Sequence, residues 1–406
     1  MYETIRPFVE HHERWRATCL NLIPSENSAS EAVRSLLSSD FGNRYTLPFT
    51  GGTFAGQRID NAYRGTRYLD LVEREGSGIA RAIYQSEYAT LRPLGGHIAA
   101  MLALTTLAAR GDTIANIPSS VGGYDGYGGD YLPQMLGLRT IELPFDRRRW
   151  VVDAQATAGL IEEHAPKVVV LGQSYFPFPY DLAPITKAAK AVGTSVVYDG
   201  SHVMGLIGGN EFQHPLSEGC TVLLGSTHKT LFGPQGGMLL SNNAAELEPR
   251  FEANTTWRTI DNAHWNRIAA LTEALLELQN YGCSYARAVV TNARALAKAL
   301  HEIGVPIRFA EVGFTASHQV LLDTERFPEH FGADIVEVSA RLERQQLIID
   351  AVGRIGVNEV TRLGMKEAEM GHIAQLLHDA MRGTDVRDRV SALREGRTLH
   401  YCFANP

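Results

Sequence analysis

From about residue 85 to residue 245, short apolar runs bounded by turn residues alternate with helical patterns. This alternation constrains the fold more than any other feature of the chain. The runs at 167–171 (KVVVL) and 195–199 (SVVYD) are apolar at nearly every position. Between them, LAPITKAAKAVG places Leu182, Ile185, Ala189 and Val192 on one helical face. Residues 95–109 (GGHIAAMLALTTLAA) read as a helix opened by two glycines. Strands without polar alternation are buried on both faces. The expected fold class is therefore α/β, a mostly parallel sheet sandwiched by helices. Ligands of such sheets collect outside the carboxyl ends of the strands.

The flanking segments have a different texture. Residues 1–40 read as a helical arm, polar on one face, and 41–68 as a long loop rich in glycine and aromatics. Residues 41–280 form the expected large domain. Long helical patterns fill 261–304. They are followed by strand-like TASHQVLLD (315–323), helical DIVEVSARLERQQ (334–346), strand-like LIID (347–350) and a last helix over 367–382. A smaller α+β domain is therefore expected over 281–406.

The formal charge of −7 argues against nucleic acid or an anionic membrane as the main partner. Small acidic ligands stay open, because local basic residues decide those. Cys19, Cys220, Cys283 and Cys402 form no C-x-x-C pair and no metal spacing, so they read as reduced thiols of a cytoplasmic protein. No apolar run reaches membrane-spanning length, and the charged start MYETIRPFVEHHERWR lacks the apolar core of a secretory signal. No metal site is expected.

One lysine stands out. In LGSTHKTLFGPQGG (224–237) an apolar strand expected over 221–224 runs into Lys229, between His228 and Thr230, and then into a glycine- and proline-rich turn. A solvated charge is the ordinary reading of such a lysine. A nucleoside-triphosphate loop is excluded by spacing, because there is no G-x-x-x-x-G-K-[ST]. The third reading is a lysine that binds an aldehyde cofactor, pyridoxal phosphate (PLP). That cofactor needs a carboxylate at its ring nitrogen, donors for its phosphate at a helix N-terminus, and a flat group against the ring. Candidates for each occur in order. Asp199 ends the strand thirty residues before the lysine, and His202 follows it. Gly95, Gly96 and His97 open a helix; Ser226, Thr227 and His228 flank the lysine; Tyr124 lies in SSVGGYDGYGG. Arg354 in VGRIGVNEVTRLGM is a candidate for a substrate carboxylate. Taken singly, Asp199 reads equally as a helix cap, Tyr124 as a loop aromatic and Arg354 as a surface charge.

Taken together, NLIPSENSAS (21–30), NRY (43–45), VVYDGSHVMGL (196–206), GSTHKTLFGPQGG (225–237), TASHQVLLD and GRIGVNEVTRLGM (353–365) resemble the serine hydroxymethyltransferase family of fold-type I PLP enzymes, over roughly residues 18–382. The resemblance implies roles. Lys229 would hold the cofactor, Asp199 would pair with its ring nitrogen, and His202 and Ser174 would contact the ring oxygen. Gly96 and His97 would take the phosphate, and Tyr124 would stack. Ser25 and Arg354 would bind the substrate carboxylate. Tyr45 and Tyr63 would reach in from a neighbouring subunit, making the active unit a homodimer or tetramer.

The chain also departs from the family's pattern. Leu47 stands where the family has a glutamate that moves the proton of the substrate hydroxyl and lies near folate. Leu347–Val352 runs almost directly into Gly353-Arg354, without the usual folate-binding loop. Asp261-Asn262-Ala263-His264 replaces a glycine-rich phosphate loop, Gln235 replaces an arginine, and the loop from 46 to 62 is longer than usual. The first two departures point away from folate. The expected function is thus making or breaking the Cα–Cβ bond of a β-hydroxy amino acid, as an aldolase or as in the threonine transaldolase branch, with a small amino acid and an aldehyde as partners. Competing readings are a folate-dependent serine or α-methylserine hydroxymethyltransferase; another PLP reaction such as decarboxylation, racemisation or transamination; and a non-catalytic binding protein on the same fold.

Overall fold

The computed structural model describes residues 4–47 and 61–404, and of 53–54 and 57–58 the backbone alone. Most of the 46–62 loop therefore lies outside the described residues.

Seven strands form the central sheet: β1 (Tyr88–Thr90), β2 (Thr113–Asn116), β3 (Arg139–Glu142), β4 (Val168–Gly172), β5 (Ser195–Asp199), β6 (Val222–Ser226) and β7 (Gly237–Ser241). Their order is β1-β7-β6-β5-β4-β2-β3. The five from β6 to β3 are parallel, while β7 is antiparallel to both its neighbours. Val168, Val170, Val197, Val222 and Leu224 join one apolar cluster with Ala99, Leu102 and Phe251. The alternate residues Val169, Leu171, Val196, Tyr198 and Leu223 are just as buried. Successive side chains point to opposite faces, so both faces of these strands are covered, as their unbroken apolar runs predict.

Two expectations shift. Strand β6 runs on through Gly225 and Ser226, which pair with Met238 and Gly237 of β7 rather than opening a turn. The helix Leu182–Val192 buries Leu182, Ile185 and Ala189, but Val192 is 37% exposed. Gly193, at φ 75°, ends the helix there.

The chain divides into two compact units, one taking 29–283 with 402–404 and the other 4–28 with 284–401. The boundary at 283/284 falls inside the long helix Trp265–Glu302. The first unit carries the central sheet. In the second, Leu20–Asn21 pairs in parallel with Leu347–Ile348, and Gln319–Leu321 pairs antiparallel with Arg354–Gly356. Helices Ile335–Arg344 and Glu367–Met381 match the expected patterns. A further helix, Arg387–Arg394, was not expected; it buries only Val390, so it has no apolar stripe to announce it. Among the described residues no helix is long and apolar enough to cross a membrane.

Candidate active site

Strand β5 ends at Asp199, β4 at Gly172 and β6 at Ser226, so the carboxyl ends of three adjacent strands face one pocket. Lys229 enters it from the turn after β6, Gly96 and His97 from the start of the helix Gly96–Leu107, and Tyr124 from the loop after β2. Ser174, His202 and Ser226 complete the expected set. Sequence reasoning missed Gln173 and Ser201, which also line it.

Asp199 is only 7% exposed and is held from two sides. The Tyr127 hydroxyl donates to Oδ2 at 2.8 Å, and the Ser201 amide donates to Oδ1 at 2.9 Å. Burial and the Asp199 charge push the Tyr127 phenol far above its ordinary range, so Tyr127 stays a donor. Gly172 leaves room for this carboxylate, since a Cβ there would stand 2.8 Å from the Asp199 Cβ. Behind Asp199, the Thr230 hydroxyl donates to the His202 carbonyl at 2.9 Å and so ties the lysine turn to the Asp199–His202 segment.

The opposite wall is a backbone cradle. A Cβ on Gly96 would overlap the Ser226 Oγ and lie 3.1 Å from the Ser201 Oγ. Gly95, by contrast, has open space where its Cβ would go. The two serines are mutually placed, with the Ser226 amide donating to the Ser201 Oγ at 3.1 Å. Free N–H groups at this helix start, with hydroxyls beside them, form an anion site. The Tyr124 hydroxyl lies 3.2 Å from His97 Nδ1, which places that ring at the mouth of the cradle. Thr227 points away, donating to the Pro234 carbonyl at 2.6 Å. His228 is also turned inward. Its Nδ1 is buried with no partner, and burial, helped by the Lys229 charge, pushes its pKa down to about 4, so the ring is neutral at pH 7.

Tyr45 and Tyr63 form a separate cluster in the same unit. Their rings lie 4.9 Å apart, and the Tyr45 hydroxyl donates to Asp261. That hydrogen bond is the main cause pushing the Tyr45 phenol up to about 12. Asp261, from the segment that departs from the family pattern, was not expected here. Leu47 is 5% exposed, fixed by a 3.2 Å bond from its amide to the Asn61 side chain.

Ser25 and Arg354 belong to the other unit, which brings their two segments together. A Cβ on Gly356 would overlap Pro24, and the Gly356 amide donates to the Leu22 carbonyl at 2.7 Å. Arg354 carries a partner that sequence reasoning missed: its Nε donates to Asp350 at 2.6 Å, with both side chains largely buried.

A buried carboxylate, a lysine amine and a glycine cradle at a helix start fit a phosphorylated pyridine aldehyde, because they answer its ring nitrogen, its aldehyde and its phosphate in turn. A family model described as serine hydroxymethyltransferase matches residues 3–377. The serine hydroxymethyltransferase of Methanopyrus kandleri is 37% identical, over 100% of this chain and 96% of that protein. That of Methanocaldococcus jannaschii is 36% identical, over 97% of this chain and 94% of that protein. Among solved structures, the L-threonine transaldolase from Pseudomonas fluorescens matches with a TM-score of 0.89 at 23% identity, over 98% of this chain and 93% of that one; this likeness speaks for the fold alone.

Proposed function

The chain belongs to the serine hydroxymethyltransferase family of PLP-dependent enzymes, and from that premise we propose that it makes or breaks the Cα–Cβ bond of a β-hydroxy amino acid without folate. The observation that carries the reading is Leu47: a buried leucine with its backbone bonded in place stands where a carboxylate would have to move a proton.

The cofactor, when bound, supplies the electron sink that lets a bond at Cα break. The remaining work belongs to the chain. Lys229 would hold the cofactor through its aldehyde. Asp199, held in place by the Tyr127 hydroxyl and the Ser201 amide, would pair with the ring nitrogen. Gly96, His97 and Ser226 would hold the phosphate, and Tyr124 would stack on the ring. Arg354 and Ser25 would bind the substrate carboxylate and so orient the bonds at Cα; orientation of this kind contributes several kcal/mol, up to roughly 7–11. His202 or a water receives the proton of the β-hydroxyl, whereas the Tyr45 phenol, raised to about 12 by Asp261, keeps its own. The exposed Tyr63, and Tyr45 beside it, suit a site completed by a second copy of the chain.

Calorimetry with tetrahydrofolate tests the reading: the expected result is no binding, and a micromolar Kd would overturn it. The second reading, a folate-dependent hydroxymethyltransferase, draws on the names of the relatives; serine turnover that requires tetrahydrofolate would establish it.

A further inference from the structure

Arg267, the third residue of the helix Trp265–Glu302, is 6% exposed. One nitrogen, Nη2, donates to the carbonyls of Leu91 at 2.6 Å, Arg92 at 3.1 Å and Ala263 at 3.3 Å. Its Nε and Nη1 are buried with no partner. Among the described residues no carboxylate lies within ion-pair distance of it, whereas its neighbour Arg92 is matched by Glu73 at 2.5 Å and Glu252 at 3.2 Å. Burial pulls the Arg267 pKa down to about 10, so the charge is retained at pH 7 but held at a cost. An unmatched buried cation is expensive unless something anionic completes it.

Its surroundings point to what that anion is. A Cβ on Gly236 would lie 2.6 Å from Arg267 Nη1. On the next residue, Gly237, a Cβ would overlap the Gly95 carbonyl and lie 3.0 Å from the Gly96 amide. The Gly237 amide also donates to the Pro93 carbonyl at 3.0 Å. Two consecutive glycines thus leave only backbone between the guanidinium and the Gly95–Gly96 cradle. The residues whose carbonyls Nη2 grips, Leu91 and Arg92, lead directly into that cradle.

We propose that Arg267 is a positioning residue for the cofactor phosphate: its buried charge, acting across the Gly236–Gly237 backbone, matches the phosphate dianion, and its grip on Leu91 and Arg92 sets the turn. This rests on the reading that Gly95–Gly96 takes the phosphate. The burial of Arg267 weakens solvent screening of its charge.

The test compares binding of PLP and of pyridoxal, which lacks the phosphate, to the apoprotein. Wild type should prefer PLP strongly; no preference would sink the cradle reading itself. Arg267→Met should cut that preference about tenfold, a change of about 1.4 kcal/mol, and Arg267→Lys, which keeps the charge, should restore most of it. A purely structural role would weaken both ligands alike and overturn the inference, as would a Met variant that keeps the wild-type preference. A measurement on wild type needs no variant: the 31P signal of bound PLP should stay that of the dianion from pH 5.5 to 8. A phosphate titrating near its free value of about 6 would contradict the proposal.

Discussion

Replacing Gly96 by alanine adds one methyl group at the first residue of the helix that opens the candidate phosphate cradle. That methyl would overlap the Ser226 Oγ and stand 3.1 Å from the Ser201 Oγ and 3.3 Å from the Ser226 amide nitrogen. A hydroxyl can rotate, but the amide belongs to strand β6 and cannot retreat. Overpacking of this kind costs about 1–3 kcal/mol. Against it, losing a glycine from the unfolded chain returns about 0.4–1 kcal/mol. The net expectation is a loss of roughly 0–2.5 kcal/mol in the apoprotein. Gly95→Ala is the control. The residue sits at φ −172°, extended backbone that alanine adopts freely, and nothing lies within 4 Å of its added methyl. With the same unfolded-chain gain and no clash against it, it should raise apoprotein stability by about 0.4–1 kcal/mol. Urea titration of both variants reads the stability, and PLP titration reads the cradle. Gly96→Ala should lose PLP affinity by more than its stability loss explains, since the methyl fills the space that the phosphate oxygens need. A Gly96→Ala variant that binds PLP like wild type would refute the placement of the phosphate.

Three further outcomes follow from the geometry. Lys229→Ala should bind PLP without the visible absorbance of the lysine-bound cofactor; an unchanged spectrum would refute the lysine assignment. Asp261→Asn should bring the Tyr45 titration down from about 12 toward the ordinary value of 10, because the Asp261 hydrogen bond is its main cause; tyrosine NMR shifts over pH 9–12.5 would read this. His228 is depressed from 6.5 to about 4, so the unfolded chain binds the extra proton first. Its contribution to apoprotein stability is therefore complete above pH 6.5 and is lost as pH falls toward 4. His228→Gln should flatten that limb, and denaturation midpoints at pH 4.5 and 7 would decide it.

Much of this was legible in the chain because the chemistry is local. Strand β5 was bounded correctly because its apolar run is flanked by turn residues and ends on Asp199. Lys229, Asp199, His202, Gly96, His97 and Tyr124 each sit in a short local motif, and the fold brings these motifs to one pocket. What stayed hidden depends on distance along the chain. Asp261 meets Tyr45 across 216 residues, and Arg267 meets Leu91 across 176. Neither pair has a spacing that the sequence displays. Asp350 is the opposite case: it is only four residues from Arg354, but the segment between them is a turn, with no helical or strand period to display the pairing. Tyr127 was missed beside Tyr124 because glycine-rich loops carry no periodicity, so nothing marked which of the two rings is buried under Asp199.

The most direct measurement is aldehyde release from L-threonine, L-allo-threonine, L-serine and α-methylserine, by PLP-loaded enzyme with no folate present. Release from at least one of them is the predicted result, and a second added aldehyde captured into a new β-hydroxy amino acid would make the enzyme a transaldolase. No release from any of the four until tetrahydrofolate is added would contradict the folate-independent function proposed from Leu47.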